Sequence, residues 1–213
     1  MTLCNLLCGC GAVIAAANLH FTLSLTLIVL GCLFDFCDGF AARLLRVSSK
    51  LGVELDSLAD VVTSGVAPAM MLHYFLRGEV AAGGEWIAYV PLLIAAFAAY
   101  RLAKFNIDER QHTGFLGLPT PANALFWASL IVSGLRLPVW LYVVLILCAC
   151  VLMVSEIPML ALKFRNGRWS DNWLRYLFLL VCLVLLLLLK IGGLALCVVW
   201  YVVLSLTLYR NTQ

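Results

Sequence analysis

The chain consists largely of apolar segments about as long as a membrane-spanning helix, separated by short polar breaks. Only 12% of its 213 residues are charged and 64% are hydrophobic, whereas soluble domains usually carry about 25% charged residues. A helix needs about 20 residues to cross a bilayer, so about eight crossings fit. The predicted fold is therefore an all-α, polytopic membrane helix bundle. The predicted spans are residues 3–17, 21–46, 52–76, 85–105, 121–135, 138–154, 173–189 and 192–209.

The basic residues predict the orientation of this bundle. With the N-terminus inside, all of the 14 Lys and Arg residues except Arg77, Arg136 and Lys190 fall on or near the cytoplasmic side. Cytoplasmic loops of membrane proteins carry an excess of Lys and Arg, so we expect this orientation. The net charge of +3 is too small to indicate a nucleic-acid-binding protein.

Four aspartates lie close together in segments that are otherwise apolar: Asp35, Asp38, Asp56 and Asp60. A carboxylate near the centre of a bilayer costs about 2.5–3.5 kcal/mol on insertion scales. Four such residues are therefore expected to bind something positively charged. A divalent metal ion is the first candidate, because hard cations prefer oxygen ligands.

Helical spacing arranges these aspartates in two stripes, because residues three, four and seven apart share one face of a helix. The stripes are Asp35, Asp38, Gly39 and Ala42 on the second span, and Gly52, Asp56, Asp60 and Thr63 on the third. If the stripes face each other, the carboxylates meet in one cleft, and the small residues leave room for a bulky ligand. Mg²⁺ or Mn²⁺ would neutralise them and could bridge them to phosphates. Arg43, beside the cleft, could pair with a phosphate.

The acidic cluster could also belong to an ion-paired helix hairpin or to a divalent-cation transporter. In the hairpin, Arg43, Arg46 and Lys50 would neutralise the aspartates, but three interfacial bases cannot satisfy four deeper acids. A transporter would need acidic residues near the midplane and along an exit route. The four aspartates instead cluster toward one side of the membrane, which disfavours a transporter.

The same segment resembles a known enzyme family. The string DFCDGFAAR at residues 35–43, followed at fixed spacing by Gly52, Asp56 and Asp60, resembles the signature of the CDP-alcohol phosphatidyltransferases. The likeness extends over roughly the first 130 residues and is greatest to members that use serine as the alcohol. The stretches that resemble those members are TLCNLLCGCGAVIAA, ELDSLADVVTSGVAPA, RLAKFN and GFLGLPTPANA.

The resemblance implies a single membrane-embedded domain over residues 1–213, with a catalytic core over about 1–135 and additional spans over about 138–209. It implies that the chain transfers a phosphatidyl group from CDP-diacylglycerol to L-serine and releases CMP. Asp35, Asp38, Asp56 and Asp60 would hold Mg²⁺ or Mn²⁺, and Asp60 would also act as the general base. The nucleotide and pyrophosphate would lie near Gly39, Ala42, Arg43 and Gly52.

The acceptor alcohol is expected to contact residues at the end of the fourth span. Arg101 and Lys104 are candidates for binding the serine carboxylate, Asn106 could hydrogen-bond the amino acid, and the GLPTP segment at 117–121 could wall the pocket. Interfacial anchoring is an alternative role for the two basic residues. The same chemistry with glycerol 3-phosphate or an inositol phosphate also stays open. The resemblance further implies a homodimer in a prokaryotic cytoplasmic membrane, with the active site facing the cytoplasm.

Overall fold

A computed structural model describes residues 1–45, 49–81, 83–107, 115–160 and 169–210, which are almost entirely helical. The helices are α1 (Thr2–Ala17), α2 (Phe21–Leu45), α3 (Lys50–Asp60), α4 (Ala67–Glu79), α5 (Leu92–Ile107), α6 (Thr120–Val132), α7 (Val139–Val154), α8 (Trp169–Leu189) and α9 (Gly192–Arg210). A short 3₁₀ helix, Glu85–Tyr89, precedes α5. Two short antiparallel strands, β1 (Phe115–Leu116) and β2 (Pro158–Met159), pair Phe115 with Met159.

The chain is an integral membrane protein with the predicted all-α architecture. Four helical stretches are long and apolar enough to cross a membrane, namely Phe21–Leu45, Lys50–Glu79, Glu85–Ile107 and Asn172–Leu189. The shorter apolar helices are Thr2–Ala17, Thr120–Val132, Val139–Val154 and Gly192–Thr207. Each of these eight segments overlaps one predicted span. Many leucines of α8 are exposed, as expected for a helix that faces lipid.

The third span is not a uniform α-helix. After α3 ends at Asp60, residues Val61–Val66 form π-helical turns before α4 begins. Pro68, at the start of α4, lacks a backbone N–H and cannot bond to the carbonyl of Ser64 as an α-helix requires. Wide turns of this kind are frequent at functional sites, and this one directly follows an aspartate.

The π-helical turns bring Thr63 into close contact with α1 and α2. A Cβ added to Gly9 would lie 2.5 Å from Thr63 Oγ1, and one added to Gly31 would lie 2.6 Å from Thr63 Cγ2. Both distances are shorter than any tolerated contact, so only glycine fits at either position. The two glycines therefore allow the first three spans to pack tightly beside the acidic residues.

The C-terminal helices pack against the body of the bundle. Helix α9 contacts α6 and α8, while α5 contacts α7 and the π-helical turns. Trp127 of α6 is fully buried in this region and donates to Asn123 Oδ1 at 3.0 Å. Because α9 lies against α6, residues near the end of the chain can reach the same space as the aspartates.

Candidate functional site

A cavity of about 580 Å³ lies among α2, α3, α5, α6, α8 and α9. Its lining divides into charged residues from α2, α3 and α5 and mostly apolar residues from the other elements. The lining residues are Asp35, Asp56, Asp60, Arg101, Leu102, Phe105, Pro119, Thr120, Pro121, Ala122, Leu125, Leu160, Phe178, Leu194, Cys197, Val198 and Tyr201.

Three of the four predicted metal ligands line this cavity. Asp35 enters it from α2, and Asp56 and Asp60 enter it one turn apart on α3. All three side chains are half-buried, and Asp35 and Asp56 are close enough to repel each other electrostatically. The structure therefore brings one aspartate of the first predicted stripe and two of the second into the same cavity.

The fourth aspartate points elsewhere. Asp38 accepts a hydrogen bond from Thr2 Oγ1 at the beginning of α1. It does not belong to the residues that line the cavity in the described part of the chain. Asp38 thus lies beside the other three carboxylates, with its side chain tied to α1.

Asp60 also has a partner on α1. Asn5 Nδ2 donates to Asp60 Oδ1 at 2.9 Å, and Asn5 itself is fully buried. Neither Thr2 nor Asn5 was predicted from the sequence as a site residue. Their three-residue spacing places them on one face of the first span. Nothing in the sequence of this short span indicates that this face contacts the aspartates.

Arg101 provides the positive charge of the cavity. Its side chain is only 7% exposed, and Nη1 lies 3.5 Å from Thr120 Oγ1 at the start of α6. Its Nε has no hydrogen-bond partner among the described residues. Asp60 is close enough to attract the guanidinium electrostatically. A buried guanidinium with a spare donor is suited to an anionic group of a ligand.

The segment that precedes α6 is held by backbone hydrogen bonds. Gly117 N donates to Ile157 O at 2.9 Å, and Leu118 N donates to Leu152 O at 3.0 Å. Gly117 has φ +72°, and a Cβ there would lie 2.6 Å from Met153 O, so the turn requires glycine. This anchoring places Pro119 and Thr120 of the GLPTP segment in the cavity lining with Arg101.

Lys104 and Asn106 lie outside the cavity lining. Lys104 Nζ pairs with Glu156 Oε1 at 3.4 Å and lines a separate shallow recess with Tyr100 and Ile107. Asn106 Nδ2 donates to Ser57 Oγ at 2.9 Å, which ties the end of α5 to α3 beside Asp56. Of the three predicted acceptor-binding residues, only Arg101 therefore lines the cavity.

The predicted nucleotide-binding residues lie on the exposed ends of α2 and α3. Gly39, Ala42 and Arg43 are exposed, and a Cβ on Gly39 would meet nothing within 4 Å. Gly52 is also exposed, and its N–H donates to Ser49 Oγ at 3.0 Å in an N-cap. The surface around Gly39 is open enough for a ligand to approach the backbone.

Part of the apolar lining of the cavity comes from α8 and α9, whose sequences carry no recognisable motif. Phe178 of α8 and Leu194, Val198 and Tyr201 of α9 line the same cavity as the carboxylates. Tyr201 also donates to Leu160 O at 3.2 Å, which joins α9 to the segment after β2. No polar pattern marks these residues, so only the packing of α9 on α6 identifies them.

The carboxylates provide the oxygen donors that Mg²⁺ and Mn²⁺ prefer. Asp35, Asp56 and Asp60 share one cavity with only one buried cation, Arg101, among the lining residues. Within the described ranges, no three acidic, histidine or cysteine side chains converge at metal-ligand distances. The donor chemistry therefore fits a divalent cation, while the convergence of three ligands requires side-chain adjustment.

Comparisons with known proteins agree with the resemblance in the signature segment. Residues 1–155 match the CDP-alcohol phosphatidyltransferase family. The chain is similar to proteins from several organisms that are named CDP-diacylglycerol–serine O-phosphatidyltransferase. The Helicobacter pylori protein is 35% identical over 126 residues, which cover 58% of this chain and 52% of that protein.

Two other organisms have similar proteins with the same name. The Bacillus subtilis protein is 32% identical over 179 residues, covering 80% of this chain and 96% of that protein. The Methanocaldococcus jannaschii protein is 40% identical over 102 residues, covering 48% of this chain and 47% of that protein. The chain thus spans about half the length of the Helicobacter and Methanocaldococcus relatives. With 155 residues matched from its beginning, the chain belongs to the CDP-alcohol phosphatidyltransferase family.

Proposed function

We propose that the protein transfers the phosphatidyl group of CDP-diacylglycerol to L-serine, forming phosphatidylserine and CMP. The observation that most supports this activity is one cavity whose lining combines three carboxylates and a buried arginine with many apolar residues. Such a cavity suits a substrate with a charged diphosphate and a lipid tail. The names of the similar proteins support serine as the acceptor.

The two parts of CDP-diacylglycerol would occupy different walls. The diphosphate would lie by Asp35, Asp56 and Asp60, and the diacylglycerol would extend along Leu125 and Val198. Burying apolar lipid against these side chains contributes about 25 cal/mol per Å² of surface removed from water. The cytidine would lie at the exposed surface near Gly39, Ala42, Arg43 and Gly52.

Asp35, Asp38, Asp56 and Asp60 would hold Mg²⁺ or Mn²⁺ together with the diphosphate. When bound, the metal would neutralise charge on the transferred phosphoryl group and on the departing CMP. Asp38 accepts the hydrogen bond from Thr2 at Oδ2, so Oδ1 is the oxygen with which it would join the other three. Mutual repulsion of the carboxylates favours their binding of a cation.

Asp60 is proposed as the general base. It lines the cavity from the last residue of α3 and accepts one hydrogen bond from Asn5 at Oδ1. The serine hydroxyl would give its proton to Asp60 while its oxygen bonds to the phosphorus that bears diacylglycerol. The bond from that phosphorus to the CMP oxygen would break, and CMP would leave with the bonding electrons.

Arg101 is the proposed partner of the serine carboxylate. It is buried, it lines the cavity near Asp60, and its Nε has no partner among the described residues. A serine bound there would place its hydroxyl near the base. Lys104 and Asn106 would act at the rim, where Lys104 contacts Glu156 and Asn106 contacts Ser57. We also propose that the active site faces the cytoplasm and that the protein forms a homodimer.

The acceptor is tested by measuring CMP release from CDP-diacylglycerol by the purified protein in detergent or proteoliposomes. Serine, glycerol 3-phosphate and inositol phosphate are supplied separately with Mg²⁺ or Mn²⁺. We expect release with serine at least about 100-fold above the other two. Release with another acceptor and none with serine would contradict the proposal. Metal-ion flux without CMP release would favour a transporter.

A further inference from the structure

Helix α1 contacts both acidic helices through two side chains on one face. Thr2 and Asn5 are three residues apart, so they lie on the same side of α1. Thr2 donates to Asp38 of α2, and Asn5 donates to Asp60 of α3. One short helix therefore supplies a hydrogen bond to one carboxylate of each stripe.

The Asn5 side chain is firmly held. Asn5 is fully buried, Thr63 Oγ1 donates to its backbone carbonyl at 3.0 Å, and Gly31 packs against its amide. A Cβ on Gly31 would lie 2.9 Å from Asn5 Oδ1, so no larger residue would leave the amide in place. The closely packed surroundings fix the direction in which Asn5 Nδ2 donates.

The amide oxygen of Asn5, Oδ1, is buried and has no hydrogen-bond partner in the described part of the chain. An unsatisfied buried acceptor costs about 1–3 kcal/mol, so a purely structural position would be served better by an apolar residue. The hydrogen bond from Nδ2 to Asp60 is the one polar role observed for this side chain among the described residues.

We propose that Thr2 and Asn5 are positioning residues that orient Asp38 and Asp60 for phosphatidyl transfer. By occupying Oδ1 of Asp60, Asn5 would direct the other oxygen, Oδ2, into the cavity as proton acceptor or metal ligand. Thr2 would hold Asp38 beside the site in the same way. This inference rests on the proposed function. Loss of a hydrogen bond to a ligand carboxylate typically lowers activity or metal affinity 10–100-fold.

The test compares Asn5→Leu and Thr2→Val with the control Ser24→Ala. Leucine has the same number and branching of side-chain heavy atoms as asparagine but cannot donate, and valine similarly replaces threonine. Ser24→Ala removes a buried hydrogen bond from α2 to the Ala12 carbonyl of α1 and leaves both donors to the aspartates in place. For each protein, the measurements are kcat, the Kd for CDP-diacylglycerol, the affinity for Mn²⁺ by electron paramagnetic resonance, and the Tm in detergent.

For Asn5→Leu, kcat should fall about 10–100-fold and Mn²⁺ affinity should weaken, while the Kd for CDP-diacylglycerol stays within about threefold. Ser24→Ala should keep kcat within about twofold of the wild type. The proposal is wrong if Asn5→Leu keeps its kcat, or if Ser24→Ala loses as much activity and Tm as Asn5→Leu does.

Thr2→Val gives an independent result at a half-buried position if Asn5→Leu does not fold. Its kcat should fall at least about fivefold, and an unchanged kcat would overturn the proposal. Rates of all variants are measured with whichever acceptor the wild type uses. If that acceptor is not serine, the proposed function is wrong, but this inference can still be tested. If the wild type turns over no acceptor, unchanged Mn²⁺ affinity in Asn5→Leu and Thr2→Val would overturn it.

Discussion

The cavity has two unlike walls. The acidic wall consists of Asp35, Asp56 and Asp60 of α2 and α3, and the apolar wall consists of the lining residues of α8 and α9, among them Phe178 and Val198. The family match ends at residue 155, so it includes the acidic wall and excludes the residues of α8 and α9. Under the proposed function, the first wall would carry the reaction chemistry and the second would shape the space for lipid. Changes to the two walls should therefore affect different kinetic constants.

The strongest test of the acidic wall is Asp60→Asn. The amide keeps the size of the carboxylate but cannot accept the serine proton, so kcat should fall about 10³-fold. The Kd for CDP-diacylglycerol, measured by titration of the inactive variant, should change by less than about threefold. Normal turnover in this variant would rule out Asp60 as the base.

Arg101→Ala should separate the two substrates. Removing a buried guanidinium that binds a carboxylate costs about 2 kcal/mol or more, so the KM for serine should rise roughly 30-fold. The KM for CDP-diacylglycerol should change much less. Arg136→Ala is the matched control, because Arg136 is exposed and pairs with Glu79 away from the cavity. A larger effect on CDP-diacylglycerol than on serine would move Arg101 out of the acceptor pocket.

The apolar wall is tested by Val198→Phe, with Val199→Phe as its matched control. Val198 lines the cavity, whereas its neighbour Val199 is 43% exposed. The larger ring at 198 should raise the KM for CDP-diacylglycerol about tenfold and leave the KM for serine nearly unchanged, because overpacking typically costs 1–3 kcal/mol. Equal effects of the two substitutions would show that the wall does not contact the lipid.

Lys104→Ala should have the smallest effect. Lys104 is partly exposed and pairs with Glu156, and exposed ion pairs contribute about 0–1 kcal/mol. The KM for serine should therefore change by less than about threefold. A rise as large as that of Arg101→Ala would restore Lys104 to the acceptor site predicted from the sequence.

The acidic wall was predictable because its chemistry follows from helical spacing. Charged residues in apolar segments are conspicuous, and the three- and four-residue intervals place them on one face of each helix. The helix bounds were also predictable, since apolar runs of membrane length have few alternatives to a helix. The confirmed family membership follows from the same segment.

The remaining features depend on contacts between distant parts of the chain. Helix α8 is so uniformly rich in leucine that no periodicity distinguishes Phe178, which faces the cavity, from the leucines that face lipid. The roles of Thr2 and Asn5 depend on how closely α1 packs through Gly9 and Gly31. Arg101 and Lys104 are three residues apart, but the end of α5 directs them to different partners.

The central claim is that the acidic wall transfers a phosphatidyl group to serine. The most direct measurement supplies the purified protein with CDP-diacylglycerol and isotopically labelled serine and follows labelled phosphatidylserine by mass spectrometry. The account predicts one labelled lipid for each CMP released, loss of both products when divalent metal is chelated, and recovery when Mg²⁺ or Mn²⁺ is restored. CMP release without labelled lipid, or full activity in the absence of divalent metal, would contradict it.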